Sequence, residues 1–203
     1  MIPYLTIDHF SALADLGIAC AAGFAAWQGV KSLKVWRSER IGGRHIELAE
    51  ESLIQFYEVE NALNVIRSPM SWSSETDPRE VDEGESRAQK YAKDIAFTTF
   101  KRMELSQETF SKFYATSLKV KAVLGPEYHE PFTVIRKCYG EVRVSAQMLF
   151  QTPFEGYEDS EFRQKLEQDV WNMERTDPQS IEQRVKLSVE AAEANFTKIL
   201  KHH

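Results

Sequence analysis

The feature that most constrains this chain is the apolar stretch from Phe10 to Val30, FSALADLGIACAAGFAAWQGV. It holds one charged residue, Asp15, among 21 residues. Basic residues follow it directly, namely Lys31, Lys34, Arg37 and Arg40. A membrane-spanning helix needs about 20 mostly apolar residues, and the uninterrupted run after Asp15 has only 15. A span therefore has to include Asp15 or extend past Lys31 and Lys34. The second route costs less, because the long lysine side chains can reach the interface. The stretch predicts a transmembrane anchor over residues 10–36.

The distribution of charge around this stretch predicts its orientation. Residues 1–9 contain Asp8 but no lysine or arginine, whereas the basic residues lie on the C-terminal side. By the positive-inside rule the N-terminus then lies outside and the chain from Lys31 onward is cytoplasmic, as in a single-pass protein of the inner (cytoplasmic) membrane. A cleaved signal peptide would begin with a basic segment, which is absent. The alternative, favoured by Asp15 and by modest hydrophobicity, is a soluble cytoplasmic protein whose first helix packs in its core.

Small residues recur within the stretch at intervals of four positions. They are Gly17, Ala21, Ala25 and Gly29. On a helix they share one face, and in a bilayer such a face lets two backbones approach closely. This pattern predicts a homo-oligomer contact; in the soluble alternative the same face packs against another helix of the chain.

Charge and composition divide the chain into two predicted parts. Residues 1–45 carry a net charge of +2 and residues 46–203 a net charge of −8. The acidic part argues against binding nucleic acid, which depends on neutralising phosphates, while the basic segment suits anionic lipid headgroups. Gly42-Gly43 is predicted to break the helix, separating an anchor over 1–40 from a cytoplasmic domain over 44–203.

The larger part reads as all-α, an antiparallel bundle of about five to six helices. Apolar residues recur there at intervals of three or four, as on a helix with one buried face. We predict helices over 44–67, 86–105, 106–124, 131–149, 160–173 and 177–199. The start near 177 comes from Asp177-Pro178, an N-cap followed by proline at the first helical position.

The segment 68–85 interrupts this pattern. It holds six acidic residues, two prolines and one basic residue, Arg79. A connection of this length is either functional or mobile, and we expect an acidic, mobile, solvated loop. Met70 and Trp72 have no periodic place in a helix, so they are the candidates for docking an unknown protein partner.

Residues that would carry chemistry are sparse. Arg40 and His45 fit the Arg-x4-His spacing of a class of all-α ribonuclease domains, in which an arginine holds phosphate and a histidine transfers a proton. A basic turn that faces lipid headgroups is the competing interpretation. Cys20 and Cys138 form neither a disulfide framework nor a metal-binding spacing. We predict that the protein binds no metal and no cofactor, and we favour a non-catalytic role over an enzymatic one.

The order of features resembles a group of uncharacterised bacterial membrane-anchored helical proteins. The matching pieces are the apolar first helix, the segment HIELAEESLIQFYEVENALNVIRSP and the late helix that opens at Asp177-Pro178. The resemblance implies topology and no activity, and Gly42-Gly43 departs from the basic and aromatic residues expected there. Together these features predict a membrane-tethered interaction or scaffold protein. The alternatives are a membrane-associated hydrolase acting through Arg40 and His45, or a soluble helical bundle.

Overall fold

The structure is a computed structural model, and it describes residues 7–70, 75, 79–154, 160–172 and 177–201. Within those ranges the backbone forms helices joined by turns and irregular segments and contains no strand, which confirms the all-α class. We delimit six helices: α1 Ile7–Ile66, α2 Arg87–Leu105, α3 Gln107–Val123, α4 Pro126–Gln151, α5 Ser160–Val170 and α6 Ile181–Lys201.

The membrane-spanning helix predicted over residues 10–36 is not supported. Among the residues that the structure describes, no helix combines the length and the apolar character needed to cross a bilayer. By its internal contacts the chain divides into a unit of residues 1–44 and a unit of residues 45–203.

The predicted helix break at Gly42-Gly43 is wrong, because α1 is continuous over 60 residues. A glycine inside a helix costs only about 0.5–1 kcal/mol relative to alanine, which the flanking helical turns can outweigh. Breaking the helix would need a proline or a left-handed backbone. In the described chain only Gly84 and Gly125 have positive φ.

The main hydrophobic core surrounds Phe56, whose side chain is fully buried. Its ring centroid lies 5.0 Å from that of Phe113 on α3 and 4.6 Å from that of Phe132 on α4. The ring of Phe196 on α6 lies 6.5 Å away. Burial along this part of α1 recurs at the helical interval: Ala49, Ser52, Phe56, Val59, Leu63 and Ile66 are buried, and Leu53 is half-buried.

Helix α4 is central, because it packs against α2, α3, α5 and α6. Its Ile135 and Val142 belong to the main core, whereas Ala146 and Leu149 belong to a second core. The second core is completed by α2, by α5 and by Phe154. One long helix thus links two separate apolar clusters.

Two predicted helix starts are corrected. Helix α4 begins at Pro126 rather than near Pro131, because proline is favoured at the first helical position, where its missing N–H is not needed. Helix α6 begins at Ile181 rather than at 177. There Asp177 instead forms a turn in which its Oδ1 accepts from the Gln179 N–H at 3.0 Å, and the Ser180 Oγ accepts from the Gln183 N–H.

Ser106 precedes α3, where serine is a favoured N-cap, but its side chain makes no capping hydrogen bond. Its N–H donates to the Arg102 carbonyl and its own carbonyl accepts from the Phe110 N–H. Both are helix-type i to i−4 bonds, so α2 and α3 follow each other almost without interruption. Ser86 does cap α2, through a reciprocal capping box with Gln89, the arrangement that satisfies two free N–H groups at a helix start.

Candidate functional site

The most unusual surface of the protein is the stretch of α1 from residue 17 to residue 37, where every side chain is exposed. Trp27 is 58% exposed and Leu33 64%. The other large exposed apolar side chains of this stretch are Ile18, Phe24, Val30, Val35 and Trp36. We call residues 17–37 the exposed apolar segment. Contiguous apolar surface of this kind marks a site of interaction with a protein or a membrane.

Basic side chains lie beside the two tryptophans of this segment. The Lys31 Nζ is 5.6 Å from the centroid of the Trp27 ring, and the Arg40 guanidinium carbon is 5.0 Å from that of Trp36. Both pairs are four residues apart on the helix, so each cation covers a ring one turn before it. Aromatic rings next to basic groups are the combination found at membrane–water interfaces.

The predicted small-residue face is fully accessible in the structure. Gly17, Ala21, Ala25 and Gly29 are all exposed, and a Cβ placed on Gly17 or Gly29 would meet nothing within 4 Å. The face is therefore free to contact another helix. The predicted homo-oligomer contact stays a prediction.

The predicted Arg40 and His45 differ in exposure and lie in different units of the described chain. Arg40 is exposed and stacks on Trp36, while His45 is half-buried and belongs to the other unit. Neither residue lines the cavity described below. The hydrolase alternative stays a prediction without a geometric counterpart.

Of the two residues predicted to dock a partner, the structure describes Met70, which is 76% exposed. Trp72 lies outside the described residues. The described part of segment 68–85 is held by charged groups. Arg79 contacts the Glu85 carboxylate through both terminal nitrogens at 3.0 Å and donates to Asp94 at 2.6 Å. The Arg79 and Lys93 side chains lower the pKa of Glu85 from 4.5 to about 2.

Two buried arginines, which the sequence analysis did not single out, hold helix ends in place. Arg102 donates to the carbonyl oxygens of Val65, Ser68 and Met70 and pairs with Glu75. Arg67 donates to the carbonyl oxygens of Gln168, Asp169 and Trp171 and pairs with Glu182 at 2.7 Å. Because the last carbonyls of a helix lack partners within it, these arginines stabilise the ends of α1 and α5. Burial lowers the pKa of Arg67, and Glu182 opposes that effect.

A cavity of about 220 Å³ lies between α3 and α4. Most of its wall is aromatic, and polar groups lie beside the rings. The lining residues are Phe110, Phe113, Tyr114, Ser117, His129, Phe132, Thr133, Ile135, Arg136 and Tyr139. Sequence reasoning missed this site because its walls come from two helices, each of which reads as an ordinary amphipathic helix.

Comparisons with protein-family models, with curated proteins and with solved structures found no match to this chain. The resemblance to membrane-anchored helical proteins therefore stays a prediction, and the functional argument depends on the surfaces described above.

Proposed function

We propose that the protein is a membrane-attached interaction protein. The exposed apolar segment inserts into the interface of an anionic bilayer, and the helical unit of residues 45–203 is held there to bind other proteins. The observation that carries the proposal is the exposure of every residue from 17 to 37, among them Trp27 and Trp36, each beside a basic group.

Two physical terms favour a bilayer as the partner of this segment. Burying an apolar surface contributes about 25 cal/mol per Å², and large apolar side chains project from the segment in several directions. Each basic residue near an anionic membrane contributes about 1 kcal/mol, and Lys31, Lys34 and Arg37 are all exposed. Attachment within one interface requires no spanning helix, because a helix that carries both large apolar and basic residues can lie at the boundary between headgroups and acyl chains.

The test is flotation of the purified full chain with vesicles. We expect it to float with vesicles of phosphatidylglycerol and phosphatidylcholine, and far less with phosphatidylcholine alone. The triple variant Lys31→Glu, Lys34→Glu and Arg37→Glu should bind the anionic vesicles at least roughly 100-fold less, from about 1 kcal/mol per basic residue.

A matched control changes the same net charge elsewhere. Lys137, Lys186 and Lys198 are exposed residues of the unit 45–203, and replacing all three with glutamate should leave flotation nearly unchanged. Failure of the wild-type chain to float with anionic vesicles, or equal loss in both triple variants, would contradict the proposal.

A further inference from the structure

The cavity between α3 and α4 has the walls of a site for an aromatic ring. The rings of Phe110 and Tyr139 pack on each other in its wall with centroids 4.1 Å apart, and those of Phe113 and Phe132 do so at 4.7 Å. Phe113 and Phe132 are almost fully buried and belong to the main core. The walls are therefore preformed and belong to the stable part of the fold.

The size of the cavity limits what it can hold. Its volume of about 220 Å³ lies below the range of about 300–1,000 Å³ typical for pockets that bind drug-sized molecules. A single aromatic ring with a short substituent is the class of ligand that fits.

The charged group beside the cavity is Arg136. Its guanidinium carbon lies 5.2 Å from the centroid of the Tyr114 ring, and no carboxylate of the described residues forms a salt bridge with it. The structure pairs Arg67, Arg79, Arg102 and Arg184 with carboxylates. Arg136 thus keeps its planar fork of donors available for an external carboxylate, the anion that this geometry binds best.

A hydroxyl group and an imidazole line the cavity together with this arginine. The Thr133 Oγ1 is 3.4 Å from the His129 Nδ1, and both residues line the cavity. Burial together with the positive charges of Lys121 and Arg136 lowers the pKa of His129. A neutral imidazole can donate one hydrogen bond or accept one, so it can position a ligand without adding a second full charge.

We propose that this cavity binds a small aromatic carboxylate, with the ring packed against the aromatic wall that includes Phe110, Phe132 and Tyr139 and the carboxylate on Arg136. The site is independent of membrane attachment, because all of its residues belong to the unit of residues 45–203. The ligand would make the helical unit a sensor or carrier of such acids.

The experiment titrates the full chain with phenylacetate and with benzyl alcohol as the uncharged probe, followed by ligand-observed NMR. We expect saturable binding of phenylacetate and much weaker binding of benzyl alcohol. Arg136→Met should reduce phenylacetate affinity on the order of 10- to 100-fold, the usual effect of losing a hydrogen bond to a charged group. Benzyl alcohol binding should hardly change.

The matched control is Lys137→Met, which removes a neighbouring exposed cation that does not line the cavity; it should preserve phenylacetate binding. Circular dichroism of both variants checks that the fold is intact. The proposal is overturned if phenylacetate shows no saturable binding to the wild-type chain. Equal phenylacetate affinity in the wild-type chain and in Arg136→Met would overturn it as well.

Discussion

Helix α1 contains two regions that are both helical but differ in the exposure of their apolar side chains. From 17 to 37 every side chain is exposed, including Trp27 and Trp36. From 45 to 66 one face of the helix is buried, with Phe56 at the centre of the main core, while Ile54, Tyr57 and Val65 remain exposed. Helix formation therefore does not explain the difference. The second region packs against α3, α4 and α6, whereas the side chains of the first are exposed in the described part of the chain.

The largest expected effect comes from truncating one aromatic side chain in each region. Phe56→Ala should lower the free energy of unfolding by about 3–5 kcal/mol, because it removes a fully buried ring and leaves a cavity. Trp27→Ala should change it by less than about 0.5 kcal/mol, as for an exposed residue. Chemical denaturation of both variants measures the contrast, and a large loss in Trp27→Ala would show that the exposed apolar segment is packed within the protein.

Removing a buried charge should have the next largest effect. Arg67→Met leaves three carbonyl oxygens and the Glu182 carboxylate without their donor, so we expect a loss of about 3 kcal/mol. Lys34→Met, at an exposed position of α1, is the matched control and should be neutral in denaturation. If both variants are equally stable, Arg67 does not hold the end of α5.

Glycine-to-alanine substitutions should have opposite signs inside α1 and at the start of α4. Gly125→Ala should destabilise the protein by about 1–3 kcal/mol, because Gly125 has a φ of 107° and a ψ of 174°, a backbone region essentially confined to glycine. Gly43→Ala should stabilise α1 by about 0.5–1 kcal/mol, since its Cβ would meet nothing within 4 Å. Thermal unfolding and helix content report the two changes. Destabilisation by Gly43→Ala would argue that the helix is broken at that position after all.

The smallest predicted effect is a pH dependence in segment 68–85. Arg79 and Lys93 hold the pKa of Glu85 near 2, below its ordinary value of 4.5. The stability that this carboxylate contributes is therefore present above about pH 4.5 and lost as the pH falls through about 2. The difference in stability between wild type and Glu85→Gln should shrink over that interval in acid denaturation. A constant difference would contradict the assigned ion pairs.

Sequence periodicity predicted the buried face of α1 around Phe56 because burial along a helix repeats with the helical turn. It failed at Gly42-Gly43, where the cost of glycine is small compared with the stability of a long helix. It also failed at Pro131, since Pro126 occupies a better starting position. In both cases the local sequence allows more than one position for a helix end, and packing of the surrounding chain determines which position is used.

Some features of the candidate sites could be predicted from the sequence and others could not. The exposed apolar segment was visible in the sequence because it is one continuous run next to a basic run. Arg67 and Arg102 were missed, because the carbonyl groups that compensate their burial lie at helix ends and have no signature in side-chain patterns. The aromatic cavity was missed because Phe110 and Tyr139 lie on different helices and meet only through tertiary packing.

The most direct test of the proposed attachment to a bilayer uses the two native cysteines. Cys20 is exposed within the apolar segment and Cys138 is buried in the main core. Without vesicles, a water-soluble maleimide should label Cys20 in the folded chain and leave Cys138 unreacted until denaturant is added. With phosphatidylglycerol-containing vesicles, we predict that labelling of Cys20 slows strongly, because the segment is then buried in the interface. An unchanged labelling rate in the presence of these vesicles would contradict the account.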